Sequence, residues 1–286
     1  MPEFADFHGA YHNVLSSLLS VKAPTAGVSS SHSIGSKFGD NVRDTYELIA
    51  HSFTITNPRN RLLPCRNADT RYAVANLFWT LAGDGDAEAI IHYNPHGKAF
   101  LEDSELKCAI PARLSNESGG NQLVDAINLL KKDPASRRAI VTFLHPEDIL
   151  KDSLDFPCPS TIHFMIRDNA LTAIVNMRSQ SAYGVLPYDV YLFTMIQEAV
   201  AVELGVELGK YIHISNSIHL YADEVERAQN LGRCSTEKVL PMVDMTAPTP
   251  ISDKSLLDAE TSVRETGKFG KTGQSYWDDR LTELVL

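Results

Sequence analysis

The chain has 286 residues, 43% hydrophobic and 22% charged, enough for one large buried core or two small ones. Its formal net charge of −10 argues against binding a nucleic-acid polymer, which wants a basic field, but leaves room for a mononucleotide, whose one phosphate needs only a few local arginines. No run is long enough to span a bilayer and the N-terminus shows no basic-then-apolar signal pattern, so no membrane partner is expected and the cytoplasm is the default location.

From the N-terminus, Phe7 to Leu19 has a helical pattern, with Tyr11, Leu15, Leu18 and Leu19 on one face. Val21 to Ser36 reads as a Ser/Gly-rich loop able to hold a phosphate. Lys37 to His51 alternates, and Phe53 to Thr56 reads as a short strand before Asn57-Pro58. Asp69 to Leu81 is a mostly buried helix stopped by Gly83, and His92 to Gly97 is turn chemistry with His92, Tyr93 and His96 facing solvent. Asn121 to Leu130 is an amphipathic helix ended by Asp133-Pro134.

Arg138 to Leu144, Ser160 to Ile166 and Leu171 to Met177 read as strands, the last two joined by a tight hairpin turn at Arg167-Asp168-Asn169. Pro187 to Leu204 is the longest helix, apolar on most faces, closed by Gly205 and therefore central. Gly209 to Leu220 is a further strand and Ala222 to Leu231 a helix. From Val243 the chain is Pro- and Thr-rich, then polar. No repeat or linker divides it, so one α+β domain over 1–286 is expected.

The four cysteines, Cys65, Cys108, Cys158 and Cys234, lie far apart with no CxxC pair. Reduced thiols are expected, with neither disulfides nor a metal site. Cys158 stands between two prolines at the mouth of a strand, Arg178-Ser179 ends the next strand, and Asp189 lies in the first turn of the long helix. A guanidinium near a thiol favours the thiolate. Each residue also has a plainer reading: a buried structural Cys, a first-turn acid suited to the helix dipole, a satisfied core His219.

Taken together, Pro157-Cys158, Arg178-Ser179, Leu186-Pro187-Tyr188-Asp189 and His219-Leu220-Tyr221 resemble the ordered motifs of the thymidylate synthase family, and most of all its cytidylate 5-hydroxymethylases. Weaker likeness reaches back to about Phe38, and residues 240–286 are divergent. The resemblance implies a mixed β-sheet with helices on one face, the other face packing against a twin in a homodimer. It makes Cys158 the nucleophile that adds to pyrimidine C6. Arg178 and Ser179 would contact the phosphate of the same subunit's nucleotide, and Arg137 and Arg138 the phosphate in the neighbouring subunit's site. His219 and Tyr221, two apart on a strand and so on one side of it, would bond the sugar hydroxyl.

Thymidylate synthases carry Asn where Asp189 stands. An amide suits the N3–H and O4 of uracil, whereas a carboxylate accepts naturally from the N4 amino group of cytosine. Asn76 occupies the place of a family glutamate that organises water and moves protons, which an amide cannot do. The Ser29–Ser36 loop lacks a family phosphate arginine, leaving Lys37 or Arg43 to substitute. The loop after His92 lacks the tryptophans of methylating members. The implied reaction is hydroxymethylation of CMP or dCMP with 5,10-methylenetetrahydrofolate. The alternatives are a cytidylate methylase and a catalytically impaired nucleotide-binding relative.

Overall fold

Chain order alternates short helices with strands that all join one sheet. The computed structural model describes residues 1–29, 42–66, 68–83, 87–103, 105–106, 109–115, 119–150, 153, 156–232, 240–251 and 253–285. Ser30–Ser36 and Lys37, part of the expected phosphate loop, lie outside the described residues, as do Cys108 and Cys234. The strands are β1 (Glu3–Phe4), β2 (Thr25–Ser29), β3 (Val42–Ile55), β4 (Ile140–Thr142), β5 (Pro159–Arg167), β6 (Ala170–Met177), β7 (Gln180–Ser181) and β8 (Glu207–Tyr221). The helices are α1 (Phe7–Leu19), α2 (Thr70–Ala82), α3 (Glu88–Tyr93), α4 (Ile110–Leu114), α5 (Gln122–Lys132), α6 (Leu186–Leu204), α7 (Val225–Gly232), α8 (Ser255–Thr266) and α9 (Ser275–Val285).

The sheet runs β1-β3-β8-β6-β5-β4, with β2 beside β3 and β7 beside β8. It is mixed: β6 pairs parallel to β8 across the α6 crossover, while β5 and β6 form an antiparallel hairpin. Asp168 (φ 50°) and Asn169 (φ 59°) both take the left-handed conformation that a two-residue hairpin turn requires. Along β6 burial alternates strictly, with Leu171, Ala173, Val175 and Met177 facing the core. Thr172, Ile174 and Asn176 on the opposite side stay half-exposed, and across β5 and β8 their neighbours His163, Met165, Ile212 and Ile214 do the same.

Helix α6 fills the core side. Fifteen of its residues are buried, Pro187 sits in its first turn, and Gly205 ends it at φ 65°. Each fully buried Leu or Phe contributes roughly 1.5–3 kcal/mol. Its one deep amide is well used: Gln197 Nε2 donates to the carbonyls of Leu171 (2.8 Å), Gly209 (3.2 Å) and Lys210 (3.0 Å) where the β6–β8 register slips. At that slip a Cβ on Gly209 would lie 2.8 Å from Leu171 O, so only glycine lets the strands approach.

Two expectations need correction. Val21 to Ser36 is not all loop, since β2 pairs along β3 from Thr25. The short strand expected at Phe53 is the end of a 14-residue strand. The C-terminal stretch, read as polar in the sequence, carries two helices, α8 and α9, packed on α2, with Trp277 1% exposed and edge-on to Phe78 at 6.1 Å.

Candidate active site

The hairpin register sets Pro159 opposite Met177, so the start of β5 and the end of β6 lie side by side. Cys158 and Arg178 therefore meet. The Arg178 backbone N–H donates to Cys158 O at 2.9 Å, its Nε to Pro157 O at 2.7 Å and its Nη2 to Phe156 O at 3.1 Å. Nη2 also lies 3.9 Å from Cys158 Sγ. The guanidinium stacks over the Phe156 ring at 4.5 Å, which fixes its plane. Ser179 is half-buried beside it.

After Arg178 the chain makes the two-residue strand β7, which lays Gln180 and Ser181 against Ile218 and His219 of β8. This step turns the Gln180 side chain inward, where Nε2 donates to Asp189 Oδ2 at 2.8 Å. Asp189 lies in the first turn of α6 and is buried. Burial pushes its carboxyl up to about 7, only partly offset by the Gln180 hydrogen bond. Gln180 Oε1 and His219 Nε2 are buried without a hydrogen-bond partner among the described residues. Burial, reinforced by Arg43 and Arg178 against Glu47, holds His219 down at about 4, so the ring is neutral.

Tyr221 follows on the same strand, its ring 4.9 Å from that of His219. The Arg43 guanidinium covers the Tyr221 ring at 3.5 Å and pairs with Asp223. Helix α2 closes the other side. Its N-cap Asp69 receives two backbone N–H groups, and the Asp69 N–H itself donates to Tyr188 Oη at 3.0 Å, joining the starts of α2 and α6. Tyr72 stands edge-on to Tyr188 at 4.9 Å, and the Asp189 charge contributes to raising its pKa to about 12, after burial. Asn76 is half-buried one turn further along α2, hence on the Tyr72 side.

The fold thus gathers Cys158, Arg178, Ser179, Asp189, His219 and Tyr221, with Asn76 on the adjoining helix. Arg137 and Arg138 are not among them. Both are exposed in the turn before the edge strand β4, and among the described residues neither guanidinium bonds to this cluster. Gln180 was the omission: Ser179-Gln180-Ser181 looks like polar loop, and only the β7 pairing shows that its amide points in. Tyr93 also departs from expectation, because its hydroxyl donates to the fully buried Glu260 at 2.9 Å. A separate cavity of about 680 Å³ lies between the Pro248–Asp253 segment, α8 and α9, lined by none of the clustered residues.

Residues 36–262 match the family described as thymidylate synthase. The chain belongs to that family. A deoxyuridylate hydroxymethyltransferase of Bacillus phage SP01 is 32% identical over 180 residues, 58% of this chain and 47% of the relative. A thymidylate synthase of Listeria monocytogenes serotype 4a is 30% identical over 138 residues, 48% of this chain and 44% of that protein. The chain thus aligns with about half the length of these relatives. In structure it is similar to the thermostable thymidylate synthase A of Bacillus subtilis, with a TM-score of 0.68 at 18% identity, over 82% of this chain and 86% of the other. Among the described residues no helix is long and apolar enough to cross a membrane.

Proposed function

We propose that this chain transfers a one-carbon unit to C5 of a cytidine 5′-monophosphate, CMP or dCMP, giving the 5-hydroxymethyl product. The observation that carries this reading is Asp189: a buried carboxyl, raised to about 7 and fixed by Gln180, at the place where an amide would suit uracil. Ionised, it accepts from the cytosine N4 amino group. Protonated, it donates to N3. Both states therefore complement cytosine, whereas an ionised carboxyl faces the O4 lone pairs of uracil without a proton to offer.

The chain's own groups divide the work. Arg178 holds the Cys158 segment by three hydrogen bonds and presents the sulfur as nucleophile. As sulfur bonds to C6, the electron pair displaced through C5 and C4 reaches N3, and Asp189 supplies the proton there. His219 Nε2, buried and neutral, is free to take a sugar hydroxyl, with Tyr221 beside it. Ser179, the remaining guanidinium edge of Arg178 and Arg43 provide for the phosphate. The edge-to-face pair Tyr72–Tyr188 next to Asp189 fits a flat, hydrogen-bonding heterocycle such as the pterin of 5,10-methylenetetrahydrofolate. Bound there, that cofactor supplies the one-carbon unit at the formaldehyde level, and water completes the hydroxymethyl group. Asn76 orients water without exchanging a proton. Arg137 and Arg138 serve a second copy of the chain, paired through the half-exposed sheet face bearing His163, Ile174, Ile212 and Ile214.

A second reading, the same chemistry on deoxyuridylate, is favoured by the similarity to the phage deoxyuridylate hydroxymethyltransferase. Release of tritium from 5-tritiated CMP, dCMP and dUMP, with and without the folate, tests both. Exchange on cytidylates that is lost in Cys158→Ser, with nucleotide binding kept, is the expected outcome. Preference for dUMP moves the assignment to the second reading. A 5-methyl product with stoichiometric dihydrofolate makes the chain a methylase, and binding without any exchange makes it a nucleotide-binding relative.

A further inference from the structure

His8 and His12 stand one turn apart on α1, so both rings leave the same side of the helix. Asp6 caps that helix by accepting the Gly9 N–H at 2.7 Å, which fixes the turn carrying His8. The ring centroids are 4.3 Å apart. Facing them is Cys65, from the segment between β3 and α2. Its Sγ lies 3.8 Å from His8 Nδ1 and 3.9 Å from His12 Nε2. A donor atom from each of the three lies within 4.8 Å of the others.

Both rings turn a nitrogen toward the one sulfur, so three donor atoms, each a possible metal ligand, face a common centre. In a tetrahedral site with Zn–S about 2.3 Å and Zn–N about 2.0–2.1 Å, sulfur and nitrogen stand roughly 3.5 Å apart. The two sulfur–nitrogen separations are within a few tenths of an ångström of that, and all three residues are half-buried, reachable but sheltered. Two imidazoles and a thiolate form a borderline-soft set that suits Zn²⁺ and not Mg²⁺ or Ca²⁺.

We propose that His8, His12 and Cys65 form a three-ligand Zn²⁺ site, with water in the fourth position. The sulfur gives up its proton to solvent as the metal binds. The ion would clip α1 to the Cys65–Asp69 segment. That segment also carries Arg66, which donates to Tyr183 O at 3.3 Å, and the N-cap of α2. The site is distinct from the Cys158 cluster, and the spacing of cysteines in the sequence gave no sign of it.

Full-length protein stripped with a chelator is titrated with Zn²⁺ against a chromophoric competitor, and separately loaded with Co²⁺. One equivalent per chain is expected, with a rise in Tm, a sulfur-to-cobalt charge-transfer band and the intense visible bands of four-coordinate Co²⁺. Outer-shell partners of metal ligands already contribute 10–100-fold to affinity, so Cys65→Ser should weaken Zn²⁺ by about 100-fold or more and abolish the charge-transfer band. His8→Gln and His12→Gln should weaken binding similarly while the sulfur band persists at high Co²⁺, which keeps the test intact if the Ser variant fails to fold. Cys158→Ser should change neither. Absence of a stoichiometric site in the wild type, or a charge-transfer band that survives Cys65→Ser, overturns the proposal.

Discussion

Arg178 commits Nε and Nη2 to the carbonyls of Pro157 and Phe156 before it offers anything to a phosphate, so its first task is to hold the thiol in place. Lysine keeps the charge but has no planar fork to reach both carbonyls. Each charged hydrogen bond lost costs about 1.5–3 kcal/mol, so Arg178→Lys should slow C5–tritium release by roughly tenfold or more with an unchanged circular dichroism spectrum. Asp189 makes a different, pH-dependent demand. Its folded value of about 7 exceeds its ordinary 3.8, so between those values the folded chain keeps a proton the unfolded chain has lost. Stability therefore falls as pH rises through this window, and the whole penalty is present above 7. Asp189→Asn removes it. In urea titrations the variant should gain on wild type by about 2–3 kcal/mol between pH 5 and pH 8, and its base preference should move toward uridylate. A pH-independent gap would mean the carboxyl does not titrate there. His219, neutral down to about 4, does not interfere.

At the scale of elements, what was legible followed from strong local signals. Helix α6 was marked by Pro187, Gly205 and apolar residues on nearly every face, and the β5–β6 hairpin by its Asp-Asn turn. What was not legible was hidden by residues whose partners are remote. Ala50 takes φ 55° in the middle of β3 while the pairs on either side keep one register with β8, so the alternation breaks where the strand does not. In α8 the buried stripe Leu256, Leu257, Glu260, Val263 is interrupted by a carboxylate whose Oε1 accepts from both Arg264 and Tyr93, which made an inward-facing helix look polar. The same distance effect hid Gln180. The C-terminal helices nonetheless pack on α2. Trp277 is the anchor, against Phe78 and with its Nε1 donating to Pro248 O at 3.3 Å. Trp277→Ala should destabilise by about 3–5 kcal/mol in urea titration. A loss near 1 kcal/mol would show that α9 is loosely held.

Across the whole molecule, α6 ties the parts together through buried Glu198, which accepts from Arg59 Nε at 2.7 Å, from Arg61 and from the Met245 N–H at 3.0 Å. That arrangement fixes the 58–63 loop and the 242–249 segment to the core of one chain. It does nothing for Arg137 and Arg138, which stay exposed beside β4 and apart from the Cys158 cluster. Among the described residues neither guanidinium pairs with a carboxylate, which leaves both forks open to an anion brought by another molecule, and the half-exposed face of the sheet is where a second copy would be placed. If each site takes its thiol from one copy and these arginines from the other, Cys158→Ser and Arg137→Ala/Arg138→Ala preparations are each nearly inactive in C5–tritium release. Unfolded together and refolded as an equal mixture, half the pairs are hybrids. In a hybrid one site carries both lesions and the other neither, so about a quarter of the wild-type sites return, given random assembly of a two-fold dimer. Recovery near that fraction ties Arg137 and Arg138 to the neighbouring copy's site. No recovery, with sedimentation showing a dimer, would confine the phosphate contacts to Arg178, Ser179 and Arg43 of the same chain.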